Sequence, residues 1–324
     1  MWHSISDKTG RKGSLEKIEI KEKITPYSHQ SGVECLVPLS DWVVQVYPAL
    51  LKVGGLEFPL AVTGPEKEFT VQMDLEKDCV WVWGISKEGH FRLKLTASEY
   101  GLSLMVDRSP KGGISIGGKL LERKESILLA KGGQFSPKKA CERFSLGNWK
   151  AQDWDLVRRR ADFSEIAPLL FLLGQKLPKS ESTLLTHTEH FFLAALSGIC
   201  APKPQDAIHQ GLSPFTGEPI SLIQSAYQTI RSYLIDGESI LPKLPNNWDA
   251  GKVIGLQTKF GTVDLEWTKG HIRRMVLVSS DSGSIALSFT KEISSCRCNG
   301  KHLENGSSLP IEVNKKYLFE RFQK

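Results

Sequence analysis

The side chains best suited to chemistry lie near the middle of the chain. His187-Thr188-Glu189-His190 sets two imidazoles three residues apart with a carboxylate between them. On a helix, residues three apart share a face, so the two histidines are the start of a metal pair. No third ligand stands at helical spacing, and histidines hydrogen-bonded at a helix start are the simpler account. Glu189 is the carboxyl most open to a perturbed acidity, with Asp162 second among Asp153, Asp155, Asp162, Glu165, Glu189 and Glu218. Each of these also suits a helix cap or an exposed charge. Trp149 and Trp154 flank a helix-forming stretch, while Trp81 and Trp83 share one face of a strand and could form a stacking platform. Core packing is the competing explanation for those rings. Cys296 and Cys298 are two soft ligands without two more, short of a zinc site, and the other four cysteines are scattered. Reduced thiols are expected. The segment Lys131-Gly132-Gly133-Gln134 lacks P-loop spacing, and no cofactor is expected.

The elements that must position these residues change in texture along the chain. Residues 1–31 are polar and charged, with weak alternation at Ile18 and Ile20, and read as a tail or an edge-strand lead-in. Residues 32–130 alternate short β-branched and aromatic runs with turn residues. Examples are Val80-Trp81-Val82-Trp83-Gly84, His90-Phe91-Arg92-Leu93-Lys94-Leu95 and Leu102-Ser103-Leu104-Met105-Val106, with turns at Gly54-Gly55 and Lys87-Glu88-Gly89. Closely spaced strands with period-2 alternation predict an antiparallel β-sandwich or a large antiparallel sheet. Residues 131–240 carry helical periodicity over 149–161, 163–173, 184–200 and 221–235, with Pro168 tolerable only near a first turn or a kink. From 241 to 324 the chain returns to strands, at 253–256, 262–267, 275–279, 285–289 and 317–319. The expected fold class is therefore multidomain α and β: an N-terminal β-sandwich, a central helical region and a C-terminal β-domain.

At 324 residues, 40% hydrophobic and 24% charged, the chain has the balance of an ordinary globular protein. This excludes disordered, collagenous and disulfide-scaffold classes. The net charge is +6, with basic residues gathered near the start and at Arg158-Arg159-Arg160. Such runs can meet phosphate or an acidic sugar, but they lack the aromatic interleaving or zinc spacing of a nucleic-acid module. That argues against nucleic acid as the partner. The opening residues lack the apolar core of a secretory signal, and no apolar run approaches the ~20 residues of a membrane span. The expected location is cytoplasmic. Oligomeric state is not legible.

The most specific pattern begins at residue 240. Ile240-Leu241-Pro242-Lys243-Leu244-Pro245-Asn246-Asn247-Trp248-Asp249-Ala250-Gly251-Lys252-Val253-Ile254-Gly255-Leu256 is followed by Gly261-Thr262-Val263-Asp264-Leu265-Glu266-Trp267 and Gly270. Pro242 and Pro245 forbid a helix and hold an extended crossing segment. Val263, Leu265 and Trp267 alternate with Asp264 and Glu266, which predicts one buried and one polar strand face. These residues resemble the "LLPALPxxWxxGxVxGL" junction and following strand of fucosidase-type, family 95-like glycoside hydrolases, where a helical barrel hands over to a C-terminal β-domain. His187-Thr188-Glu189-His190-Phe191-Phe192 is similar to a His-x-Ser-His-Leu-Phe stretch of the same barrel, with Glu189 in place of serine.

The resemblance implies carbohydrate as the partner and a central region like part of an (α/α)₆ barrel. Glycoside hydrolysis uses two carboxyls flanking the bond, one to donate a proton and one to activate water or attack. In that reading Glu189 and Asp162 are the catalytic candidates, and His187, His190, Trp149 and Trp154 the substrate-binding ones. Twelve helices of about 11–12 residues with connections of about 4–6 need roughly 190 residues. Residues 131–240 hold about half of that, and no Gly-Trp-Ser segment, which follows the acidic catalytic region of those enzymes, occurs. Two expectations result: a shortened enzyme that acts on or binds carbohydrate, or a non-catalytic scaffold protein derived from one.

Overall fold

The computed structural model describes residues 17–63, 67–137, 142–147, 163–187, 189–196, 218–290 and 292–324. The described chain is mostly β, with several sheets and few helices. It divides into two compact units. One is Glu22–Ser232; the other is Tyr233–Lys324 with the described residues before Glu22.

In the first unit the strands are β1 (Tyr27–Ser28), β2 (Val33–Leu36), β3 (Val43–Tyr47), β4 (Leu50–Val53), β5 (Leu56–Pro59), β6 (Lys67–Asp74), β7 (Cys79–Ser86), β8 (Gly89–Ser98), β9 (Gly101–Arg108), β10 (Ile114–Ile116), β11 (Lys119–Leu121), β12 (Ser126–Lys131) and β13 (Arg143–Ser145). A six-stranded sheet runs β1-β6-β7-β8-β9-β12 and a four-stranded sheet runs β2-β3-β4-β5; β10 and β11 pair as a ribbon. Neighbours in both sheets are antiparallel. Each sheet has one buried face. Val71, Met73, Val80, Val82, Leu93, Leu95, Leu104 and Val106 form that of the larger sheet, and Val44, Val46, Leu51 and Val53 that of the smaller. The period of two therefore assigns the intervening residues of β7 and β8, Trp81 and Trp83 with Arg92 and Lys94, to the outer face.

Three helices are described: α1 (Phe163–Gln175), α2 (Glu189–Leu196) and α3 (Pro219–Leu234). The expected partial α/α-barrel is not supported. From Ile166 to its end α1 is buried on every side, as a helix enclosed in a core is and a helix with one face toward water is not. At Gly174 a Cβ would stand 2.4 Å from Tyr227 Cβ, so α1 and α3 cross at a distance only glycine permits. The Gln224 amide of α3 donates to the Gly174 and Pro178 carbonyls at 2.7 and 3.1 Å, satisfying the C-terminal end of α1. Buried Glu142 accepts from Tyr227 Oη at 3.1 Å and pairs with Arg231 at 3.3 Å; burial pushes the Tyr227 phenol up from its usual range.

The helix expected from residue 184 begins at Glu189 instead. The Thr183 and Leu185 N–H groups donate to Ser225 Oγ and Thr229 Oγ1 of α3, at 3.1 and 2.8 Å, rather than to their own chain four residues back. The stretch 149–161 lies outside the described residues. Pro168 is the sixth residue of α1, past its first turn, so the helix forgoes the i→i−4 bond that an N–H there would make.

In the second unit the strands are β14 (Ile235–Asp236), β15 (Ser239–Ile240), β16 (Ala250–Thr258), β17 (Gly261–Thr268), β18 (His271–Ser279), β19 (Gly283–Ile285), β20 (Ser295–Cys298), β21 (Lys301–Glu304), β22 (Leu309–Ile311) and β23 (Lys316–Gln323). The main sheet includes the order β16-β17-β18-β23-β20-β21. Val263, Leu265 and Trp267 are buried together with Met275, Leu277 and Phe319. Trp267 Nε1 donates to the Trp248 carbonyl at 2.9 Å, so the crossing segment after Pro245 is pinned to this core. Among the described residues, no helix is long and apolar enough to cross a membrane.

Candidate functional site

The outer face of the six-stranded sheet carries a groove of ≈ 560 Å³. Its floor comes from strand pairing. Trp81 stands opposite Gln72 on β6 and Lys94 on β8; Trp83 stands opposite Thr70 and Arg92. Directly paired side chains on one face lie within about 4.5–5.5 Å at Cβ. Two half-buried indoles are thus surrounded by polar side chains at the centre of a sheet.

The polar groups are already arranged. Arg92 donates to Asp107 Oδ2 through Nε at 2.6 Å and Nη2 at 2.5 Å, and its guanidinium lies 4.8 Å from the Trp81 ring centroid. Lys77 and Lys94 stand 5.9 and 5.7 Å from the same ring. Cations over an indole face are attracted by the ring quadrupole, so Trp81 acts as the anchor of a charged surround. Trp83 carries no such cation contact among the described residues. Asp74, at the end of β6, accepts the Glu76 and Lys77 N–H groups at 3.1 and 3.0 Å. Its carboxylate is occupied in holding the turn into β7. Asp107 is likewise occupied by Arg92. The groove therefore offers an aromatic face and fixed hydrogen-bonding groups; of the carboxylates that line it, Asp74 and Asp107 have internal partners, and Glu68 is the third.

The residues singled out in the sequence fall differently. Asp162, Trp149, Trp154 and the arginines 158–160 lie outside the described residues. His187 is exposed just before α2 and His190 is partly buried in its first turn. Their rings meet edge to face with centroids 5.6 Å apart, and the His190 N–H donates to the His187 carbonyl at 3.2 Å. Glu189 is the first residue of α2. The structure brings the two histidines together at a helix start. Among the described residues no group of three or more His, Cys, Asp and Glu side chains is placed to hold a metal ion. Asp264 accepts the Gly255 N–H at 2.8 Å and Glu266 pairs with Arg274 at 3.1 Å, both on the polar side of β17. Cys35, Cys79, Cys296 and Cys298 are buried free thiols, and burial pushes Cys79 and Cys296 up to about 12 and Cys298 to about 11.

Arg92, Asp107 and Lys77 were not singled out by sequence reasoning. The polar alternation His90, Arg92, Lys94 on β8 is a visible signal, but it acquires meaning only once the Ser86–Gly89 hairpin sets Arg92 opposite Trp83.

Fold and groove define a class, a mostly β protein with an aromatic-floored sheet surface and a separate C-terminal β-unit. The C-terminal unit is the part with a recognisable kinship: residues 236–319 match the family described as glycoside hydrolase family 95, C-terminal domain. Over those residues the chain is similar to that domain. No curated protein matches it.

Proposed function

We propose that this protein binds carbohydrate on the outer face of the β1-β6-β7-β8-β9-β12 sheet, within an organisation of N-terminal sandwich, central helical region and accessory C-terminal β-domain. The observation that carries the reading is the half-buried Trp81–Trp83 pair flooring a groove beside the Arg92–Asp107 pair. The apolar C–H face of a sugar ring stacks on the Trp83 indole, which is both a large apolar surface and an electron-rich face. The ring's hydroxyls meet the guanidinium and carboxylate edges of Arg92 and Asp107 and the Gln72 amide. The family match of the C-terminal unit supports a carbohydrate as the ligand class. Binding rather than hydrolysis is supported because Asp74 and Asp107 already accept hydrogen bonds from the protein, whereas a general acid and a water-activating base must face the bond to be cleaved.

The test is a panel of neutral oligosaccharides measured both by calorimetry and for released reducing sugar. Binding without turnover is expected, and Trp83→Ala should weaken it about tenfold or more, as truncation of a pocket aromatic does. Turnover that disappears in Glu189→Gln or Asp162→Asn would move the active site to the helical region and overturn the binding-only reading.

A further inference from the structure

We infer that the C-terminal unit carries a second, separate site for a tetrahedral oxyanion, a phosphate or sulfate group, between the β20–β21 hairpin and the end of β23. A cleft of ≈ 190 Å³ there is lined by Cys296, Arg297, Gly300, His302, Arg321 and Gln323. The volume lies below the roughly 300–1,000 Å³ of pockets that enclose drug-sized molecules, and it suits a small group. No carboxylate lines it, and no aromatic ring on which a base could stack.

The hairpin and a bulge bring two guanidinium groups and an imidazole together. Arg297 and His302 are direct partners in the β20–β21 ladder, so their side chains leave the same face. The β20–β23 register passes from Ser295 opposite Gln323 to Arg297 opposite Glu320, which places an extra residue on β23. Arg321 lies in that bulge at φ 53°, a left-handed conformation that glycine adopts freely and arginine does not. The bulge therefore delivers Arg321 to the cleft already lined by Arg297 and His302, at the expense of backbone strain.

Charge balance is the second observation. Arg92, Arg143, Arg231 and Arg274 each sit within ion-pair distance of a carboxylate. Among the described residues, Arg297, His302 and Arg321 have no such partner, as is also true of Arg108, Arg123 and Arg273, and Glu320 stands opposite Arg297 in the ladder. Like charges gathered on one face are unfavourable unless something answers them. Gln323 accepts from Ser295 Oγ through Oε1 at 3.2 Å, which leaves its amide NH₂ as a neutral donor on the cleft wall. Two guanidinium forks, an imidazole and an amide around a small cleft match the oxygens of a phosphate or sulfate group.

The experiment titrates the full chain with inorganic phosphate, inorganic sulfate, a sulfated oligosaccharide and the same oligosaccharide desulfated, at constant ionic strength set by chloride. Backbone amide shifts and calorimetry are read together. Saturable shifts confined to the Arg297, His302 and Arg321 neighbourhood are expected. Arg321→Gly and Arg297→Gln should each weaken binding about tenfold or more. Arg321→Gly also relaxes the strained position, so its melting temperature should be unchanged or higher, and lost binding cannot then be ascribed to misfolding. Tighter binding of the sulfated than of the desulfated sugar identifies an ester group as the ligand; binding of inorganic ions alone identifies the free ion. Either supports the site. Absence of saturable binding, or binding unaffected by both substitutions, overturns it. Neutral-sugar binding at the Trp83 groove should persist in Arg321→Gly, which separates the two sites.

Discussion

Strands β7 and β17 are both paired on each side within antiparallel sheets, both carry tryptophan, and they put it to opposite uses. In β17, Trp267 has the same parity as Val263 and Leu265, and all three are buried; its indole N–H is spent on the Trp248 carbonyl. In β7, Val80 and Val82 take the buried parity, and Trp81 and Trp83 are left on the other face among Gln72, Arg92 and Lys94. The hairpins leading onward from these sheets use the same device. Ser98 Oγ donates to the Gly101 carbonyl at 3.4 Å and Thr258 Oγ1 to the Gly261 carbonyl at 2.6 Å. A Cβ at either glycine would lie 2.1 Å from a carbonyl oxygen of the adjacent strand. With the scaffolding alike, parity alone separates a structural tryptophan from an available one. Aromatic rings left accessible in the middle of a polar sheet face give up burial, and a ligand that covers them recovers it.

The largest expected effect tests the buried side of this contrast. Trp267→Ala removes a fully buried indole and its hydrogen bond and should destabilise the C-terminal unit by about 3–5 kcal/mol, read from denaturant midpoints. Gly101→Ala and Gly261→Ala probe the shared scaffolding. Each should cost about 1–3 kcal/mol, and a large difference between them would show that the two hairpins are not equivalent. Trp83→Ala should change stability by less than about 1 kcal/mol while sugar binding falls. A stability loss as large as that of Trp267→Ala would make Trp83 a core residue and end the comparison.

The smallest effect is one of pH. The Thr63 hydroxyl and N–H, at 2.5 and 3.1 Å, hold the Glu88 carboxyl down to about 2 from its ordinary 4.5. A carboxyl lowered in the folded state contributes above the unfolded value and loses that contribution as pH falls toward the folded one. The protection of the Thr63 and Glu88 amides, relative to their intrinsic exchange at each pH, should therefore fall as pH drops from 4.5 toward 2.

The C-terminal unit was the most legible region. Pro242, Pro245, the glycines and the alternation of Val263, Leu265 and Trp267 are short-range signals, and the extended crossing and buried strand face follow from them. Residues 285–289 were less so. Only Gly283–Ile285 is strand, since Ser288 instead bridges to Ser239. The helices of the middle region illustrate the limit of periodicity. Apolar spacing marks α3 correctly, with Ile223, Ala226, Ile230 and Leu234 buried. It overextends α2, because the competing hydrogen bonds come from Ser225 and Thr229, some forty residues further along.

For the candidate site, the chain's own pattern determined that Trp81 and Trp83 share a face, because a strand's side chains alternate with period two. It left open whether that face meets core or solvent. Only the tertiary structure decided this, by filling the opposite face with the valines and leucines of four strands and by pairing Arg92 with Asp107 across a register that no local spacing encodes. The bulge at Arg321 has the same character. Arginine is no sign of a left-handed turn, and the strain exists only where two strands of unequal count are held in one sheet. Alternation is a property of the local chain, whereas the choice of buried face and the partners across it depend on which distant segments compete for the same core.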